Sequence, residues 1–242
     1  MKIKAVLFDF DGTLVDIGSY IDWRSARKAV AGIYVGYGVP ARTIMKYSGI
    51  VTLYVKMYDE LGRIFPPSKV LEVQREASRA VEEYELVALS RSAPMPGCLE
   101  VLRWIKGRGT RVGVISLNGE KVACRALEST GMAGYIDALF SRDSPGRPKP
   151  YPDHIVSCLG VLGCRPGESI MVGDSTSDIT AGKSAGVLPV GVSTGGYLAE
   201  ELAEAGAYRV IGGLSELPRL IEELEGSIAH DGHERGARNR PL

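Results

Sequence analysis

The chain has no surplus of charge of either sign: 29 lysines and arginines face 29 aspartates and glutamates among its 242 residues. A balanced surface builds no field that attracts polyanions, so nucleic acid is not an expected partner. Histidine is scarce, with two of its three copies, His230 and His233, near the C-terminus. His154 stands apart on an expected helix, where it reads as a surface or packing residue. A Ser/His hydrolase therefore has no support, and no Gly-x-Ser-x-Gly elbow occurs. The four cysteines, Cys98, Cys124, Cys158 and Cys164, form no CxxC pair and no zinc-like spacing. That predicts buried, reduced thiols and a reducing cytoplasm. No apolar run approaches the ~18 residues of a membrane span. Met1-Lys2-Ile3-Lys4 leads straight into a strand pattern, without an apolar leader segment. Gly182-Lys183-Ser184 has the ending of a P-loop, but the glycine required five positions earlier is Ser177.

What is present is a regular alternation. Short Val- and Ile-rich runs recur at residues 3–8, 111–116, 138–141, 169–172, 188–192 and 209–211. Amphipathic stretches of helical length separate most of them, with apolar steps at Leu99, Leu102 and Ile105, at Val122, Ala126, Leu127 and Met132, and at Ile155, Val156, Leu159 and Leu162. This pattern predicts an α/β fold with a Rossmann-like, doubly wound parallel sheet covered on both faces.

Residues 17–91 interrupt the alternation with successive helical periodicities, the clearest from about 68 to 88 after Pro66-Pro67. We therefore expect an inserted α-helical cap at 17–91 within a core made of residues 1–16 and 92–225. Asp16-Ile17-Gly18-Ser19 and Ala93-Pro94-Met95-Pro96-Gly97 are the expected hinges. Residues 226–242 are polar with little to bury, and read as a mobile tail.

Chemistry is expected at the carboxyl ends of the strands, where parallel sheets bind ligands. The first strand ends in Asp9-Phe10-Asp11-Gly12-Thr13, the second in Ser116-Leu117-Asn118 and the fourth in Gly173-Asp174-Ser175-Thr176-Ser177-Asp178. Lys149 lies in the Lys-Pro-x-Pro loop between the third and fourth. Strand period places Asp9 and Asp11 on one side of the chain, and one helical turn places Asp178 near Asp174. Four converging carboxylates need a cation. An all-oxygen set points to a hard divalent ion, with Mg²⁺ the usual choice beside phosphate.

These four segments, in this order, resemble the motifs of the haloacid dehalogenase-like hydrolase superfamily. The resemblance is nearest to its phosphoglycolate phosphatase-like members, whose helical cap lies between the first two motifs. It implies that Asp9 is the nucleophile and Asp11 the general acid and base, with a pKa raised so that it carries a proton for part of the cycle. It implies that Asp9, the Asp11 backbone carbonyl and Asp174 bind Mg²⁺, that Asp178 orients metal-bound water or Lys149, and that Lys149 neutralises the transferring group. Ser116 and N–H groups at a helix start are expected to hold phosphate oxygens, along with Leu117 and Asn118. Many relatives place Asn directly after that Ser, whereas Leu117 intervenes here. Asp11 favours phosphoryl transfer over dehalogenation, which needs no such acid. The expected activity is a Mg²⁺-dependent phosphatase of a small phosphorylated metabolite such as phosphoglycolate or a sugar phosphate, acting as a monomer or homodimer. The alternatives are a sugar phosphomutase and a non-catalytic binding protein.

Overall fold

The structure, a computed structural model, describes residues 2–234. Its strands are β1 (Ala5–Phe8), β2 (Val15–Asp16), β3 (Ala93–Pro94), β4 (Arg111–Ile115), β5 (Ala138–Phe140), β6 (Ser169–Gly173), β7 (Leu188–Val192) and β8 (Arg209–Ile211). Six of them form one sheet in the order β5-β4-β1-β6-β7-β8, and every pair in it is parallel. The helices are α1 (Trp23–Gly36), α2 (Ala41–Ile44), α3 (Ile50–Gly62), α4 (Pro67–Leu89), α5 (Cys98–Gly107), α6 (Glu120–Ser129), α7 (Asp153–Leu162), α8 (Thr176–Ser184), α9 (Ala199–Glu204) and α10 (Leu217–Glu234). The expected doubly wound α/β architecture is present.

All four residues of β1 are fully buried because both faces of the sheet are covered. Val6 and Phe8 point into the cluster formed with α5, α6 and α10, where Leu102, Val122 and Leu217 lie. Ala5 and Leu7 point into the opposite cluster, with Ile155 and Leu159 of α7 and Ala181 of α8. Burying each such large apolar side chain contributes ~1.5–3 kcal/mol, which is why the strand reads as an unbroken apolar run. The strand order reverses on either side of β1, so its carboxyl end opens onto the crevice between diverging connections.

Between β2 and β3 the described backbone is helical apart from its turns. Helices α1, α3 and α4 bury Ala26, Val30, Tyr34, Leu53, Met57, Leu61, Val73 and Ala77 in a cluster of their own. Two polar side chains in that cluster satisfy each other: Tyr34 donates to Gln74 Oε1 at 2.6 Å, and Gln74 Nε2 donates to the Tyr54 carbonyl at 2.9 Å. The two connections to the sheet pair antiparallel, Val15 with Pro94 and Asp16 with Ala93. At two residues per strand this ribbon is too short for periodicity to reveal. Helix α4 has 23 residues and spans ~34 Å at 1.5 Å per residue. Its first turns pack in the helical cluster, while Tyr84, Leu86, Ala88 and Leu89 pack on the main core.

Helix α10 continues through Gly226 to Glu234, into the segment expected to be a tail. Residues 235–242 of that expectation lie outside the described residues. Among the described residues no helix is long and apolar enough to cross a membrane.

Candidate active site

The site begins where β1 stops. The Asp9 N–H still follows the sheet ladder, donating to the Val172 carbonyl at 2.8 Å, and this fixes the backbone from which the Asp9 carboxylate projects. Lys149 arrives from the loop after β5, almost wholly buried, and donates from Nζ to Asp9 Oδ1 and Asp178 Oδ1. Burial alone would lower the pKa of this lysine, but the charges of Asp178 and Asp9 outweigh that effect and hold it up. It is a permanent cation beside Asp9.

Asp178 is held by a reciprocal cap at the start of α8. Ser175 donates to Asp178 Oδ2 from its hydroxyl at 2.6 Å and from its N–H at 3.0 Å, and the Asp178 N–H returns to Ser175 Oγ at 3.3 Å. A Cβ on Gly173 would overlap the Asp178 carboxylate, so only glycine leaves room for it at the end of β6. Thr13 Oγ1 donates to Asp174 Oδ1 at 3.0 Å. Gly12 turns the chain with φ +90°, and a Cβ there would stand 2.6 Å from Asp174 Oδ2.

Asp9, Asp174 and Asp178 each present a carboxylate oxygen within 4.8 Å of the others, all three buried. Burial, then the charges of Asp9 and Asp178, push the Asp174 pKa far up, and burial with Asp9 also raises Asp178 despite Lys149. One lysine cannot balance this many carboxylates in low dielectric. The donor set fits a hard divalent cation, since every ligand atom is oxygen and no nitrogen or sulfur intrudes.

The expected convergence of four carboxylates is reduced to three. Asp11 does turn to the same cleft, but its Oδ1 accepts from the N–H groups of Ile17 at 2.9 Å and Gly18 at 2.8 Å. The cause is the tight turn after β1, which brings the first connection back over the acid. Burial raises the Asp11 pKa above its ordinary value, although the hydrogen bonds from Gly18 and Ile17 oppose this.

Ser116 lies buried at the end of β4, and its hydroxyl is engaged with Asn118: it donates to Asn118 Oδ1 at 3.0 Å and accepts from the Asn118 N–H at 2.9 Å. Leu117 and Asn118 line the cleft, and Ser116 lies just behind them. The expected cradle of free N–H groups at the start of α6 is largely occupied. The Gly119 N–H donates to Glu85 Oε2 at 3.1 Å and the Glu120 N–H to Asp143 Oδ2 at 2.9 Å. A helix N-terminus attracts carboxylates, and here α4 and the loop after β5 supply them. The Leu117 N–H has no acceptor among the described residues, and Leu117 lines the cleft.

Glu85 and Arg142 are the residues that sequence reasoning missed. Both are buried, they form an ion pair at 2.8 Å, and both line the cleft. All five guanidinium donors are occupied, by Glu85 Oε1 and Oε2, the Leu117 and Ser78 carbonyls and Ser78 Oγ. Glu85 also accepts from Asn118 Nδ2 at 3.2 Å. His154 is fully buried beside Phe140, with ring centroids 6.1 Å apart, and has a packing role.

The sequence and the fold both have matches among known proteins. The family described as haloacid dehalogenase-like hydrolase matches residues 6–192. A phosphoglycolate phosphatase from Neisseria meningitidis is 29% identical over 92% of this chain and 94% of its own. One from Rhodospirillum rubrum is 30% identical over 88% and 89%. The solved structure of a hydrolase from Pseudomonas syringae superposes with a TM-score of 0.62 at 23% identity, covering 90% of this chain and 98% of that one. This chain belongs to the haloacid dehalogenase-like hydrolase family, among its phosphatases.

Proposed function

We propose that the protein is a Mg²⁺-dependent phosphatase of a small phosphorylated metabolite, working through an aspartyl-phosphate. The observation that carries this reading is the pairing of Asp9 with a buried Lys149 inside an acidic triad, with the raised carboxyl of Asp11 facing the same cleft. Bound by Asp9, Asp174 and the Asp11 backbone carbonyl, with Asp178 beside them, Mg²⁺ would supply charge neutralisation for the carboxylates and the phosphoryl oxygens.

The remaining chemistry belongs to the chain. Asp9, fixed by Lys149, attacks phosphorus, and the bond to the leaving oxygen breaks as Asp11 gives that oxygen a proton. Water then attacks the aspartyl-phosphate, Asp11 takes up its proton, and the bond between phosphorus and Asp9 breaks to release inorganic phosphate. Lys149 and the Leu117 N–H hold phosphoryl oxygens, while Ser116 and Asn118, hydrogen-bonded to each other, fix the loop that carries Leu117. The helical segment 17–91 is the cap over the leaving group, and residues 1–16 and 92–225 are the catalytic core. The four cysteines are free thiols, in keeping with a cytoplasmic setting.

Phosphate release from p-nitrophenyl phosphate tests the proposal. Turnover is expected with Mg²⁺ and not with chelator, is lost in Asp9→Asn, and falls ~10²- to 10⁴-fold in Asp11→Asn. Turnover unaffected by Asp9→Asn overturns the covalent route, and isomerised sugar phosphate without phosphate release makes the enzyme a mutase instead.

A further inference from the structure

The wall opposite the catalytic carboxylates is apolar. Trp23, Ile50, Val51, Tyr54, Val55 and Val81, all from the helical segment, line a cleft of about 470 Å³. That volume lies in the ~300–1,000 Å³ range of sites for drug-sized molecules, far more than phosphoglycolate fills. The polar tips of the two aromatic residues on this wall are engaged within the protein, and Thr52 adds an exposed hydroxyl at its edge. The Trp23 indole N–H donates to the Gly18 carbonyl at 2.9 Å, and the Tyr54 hydroxyl donates to the Gln74 carbonyl at 3.4 Å. The Trp23 ring keeps apolar surface exposed while its N–H is satisfied, whereas Tyr54 is buried with Arg142 over its ring.

The buried charges of Arg142 and Glu85 beside that wall are engaged within the protein. Arg142 is the buried cation nearest in kind to a carboxylate receptor, but its five donors are all engaged within the protein. Glu85, its partner, accepts from Arg142, Asn118 and Gly119. Of the cations that the helical segment carries, Lys56 lines the cleft, and it is exposed to water. A screened surface lysine contributes little to holding a second anion. Trp23 and Val51, by contrast, are 36% and 42% exposed, so apolar surface faces water where a ligand would cover it.

We propose that the cleft selects phosphate monoesters whose leaving alcohol is uncharged and carries an apolar or aromatic body, in preference to those bearing a second anionic group. The inference rests on the phosphatase reading and narrows its substrate class. The ester's phosphate sits at Asp9 and Lys149, and its carbon body lies against Val51, Val55 and the Trp23 face. Desolvating that surface supplies the selectivity.

The test compares kcat/KM for 2-phenylethyl phosphate, phosphoglycolate and glucose 6-phosphate with Mg²⁺ present. All three esters are of alkanols, which limits the contribution of leaving-group acidity; an aryl ester would confuse acidity with recognition. At least about a tenfold preference for the phenylethyl ester is expected, the size of effect that apolar pockets deliver. Val51 is exposed enough to be replaced without disturbing the core. Val51→Lys should raise KM for the phenylethyl ester about tenfold and improve phosphoglycolate turnover. As a readout independent of turnover, 2-phenylethyl phosphonate should inhibit competitively, and more weakly in Val51→Lys. Equal or faster hydrolysis of phosphoglycolate or glucose 6-phosphate by the parent overturns this inference and leaves the phosphatase reading intact. Failure to release phosphate from any ester, p-nitrophenyl phosphate included, overturns that reading and the inference with it.

Discussion

Gly195 shows how one missing side chain can set the geometry of the acidic triad. A Cβ at this position would overlap Oδ2 of Asp174, whose other oxygen is held by Thr13. Because Gly12 closes in on the same carboxylate from the opposite loop, Asp174 has one place to go. Gly195→Ala is therefore expected to displace Asp174 and raise the Mg²⁺ concentration for half-maximal activity by ~10- to 100-fold, the usual cost of losing a group that orients a metal ligand. A Mg²⁺ titration of phosphate release checks it, and an unchanged half-saturation point would mean that Gly195 does not position Asp174. At this scale the sequence was legible where chemistry follows a strand end: Asp9, Asp11, Lys149, Asp174 and Asp178 all lie around the cleft or directly beneath it. Gly195 was not legible, because nothing local in the sequence marks a glycine that makes room for a side chain 21 positions earlier. Glu85 and Arg142 were hidden for a similar reason. They stand 57 residues apart, and an acid in a helix rich in Glu and Arg resembles any solvated helix face.

Helix α4 is the element that joins the helical cluster to the sheet, and its Glu85 accepts from Arg142, Asn118 and the Gly119 N–H. Removing that carboxylate leaves a buried guanidinium uncompensated and the Gly119 N–H without its acceptor. Glu85→Ala should destabilise the fold by ~3–5 kcal/mol, whereas Glu85→Leu with Arg142→Met should recover most of that, because burying the ion pair itself has a desolvation cost. Urea unfolding of the parent, the single variant and the pair gives the comparison. A single variant within about 0.5 kcal/mol of the parent would show that the pair is not sealed from water. The other elements were legible in proportion to their burial. All six strands of the main sheet announce themselves as short runs rich in Val and Ile or other apolar residues, and α4 and α5 by their spacing. The β2–β3 ribbon did not, since two residues carry no period, and α10 outruns its expected end, since a stretch with little apolar content can still hold helical backbone.

At the scale of the molecule, the triad gathers residues from just past β1 and β6 and from the first turn of α8, and folding must bring its carboxylates together. Burial and mutual repulsion raise Asp174 and Asp178 above the ordinary carboxylate value, so the folded chain without a cation carries an electrostatic penalty near neutral pH. A cation that binds only the folded state reverses that penalty. At a Mg²⁺ concentration 100 times its Kd the gain is about 2.7 kcal/mol. For a chain of this length each kcal/mol raises the melting temperature by roughly 2–4 °C, so an increase of about 5–11 °C is expected on adding Mg²⁺. Asp174→Asn separates the two contributions. Without metal it should melt no lower than the parent, because one repelling carboxylate is gone, and Mg²⁺ should then raise its melting temperature by less than about 2 °C. Calorimetry of both proteins, each with Mg²⁺ and with chelator, decides the matter. If Mg²⁺ stabilises Asp174→Asn as strongly as the parent, the ion binds elsewhere and the acidic triad is not its site.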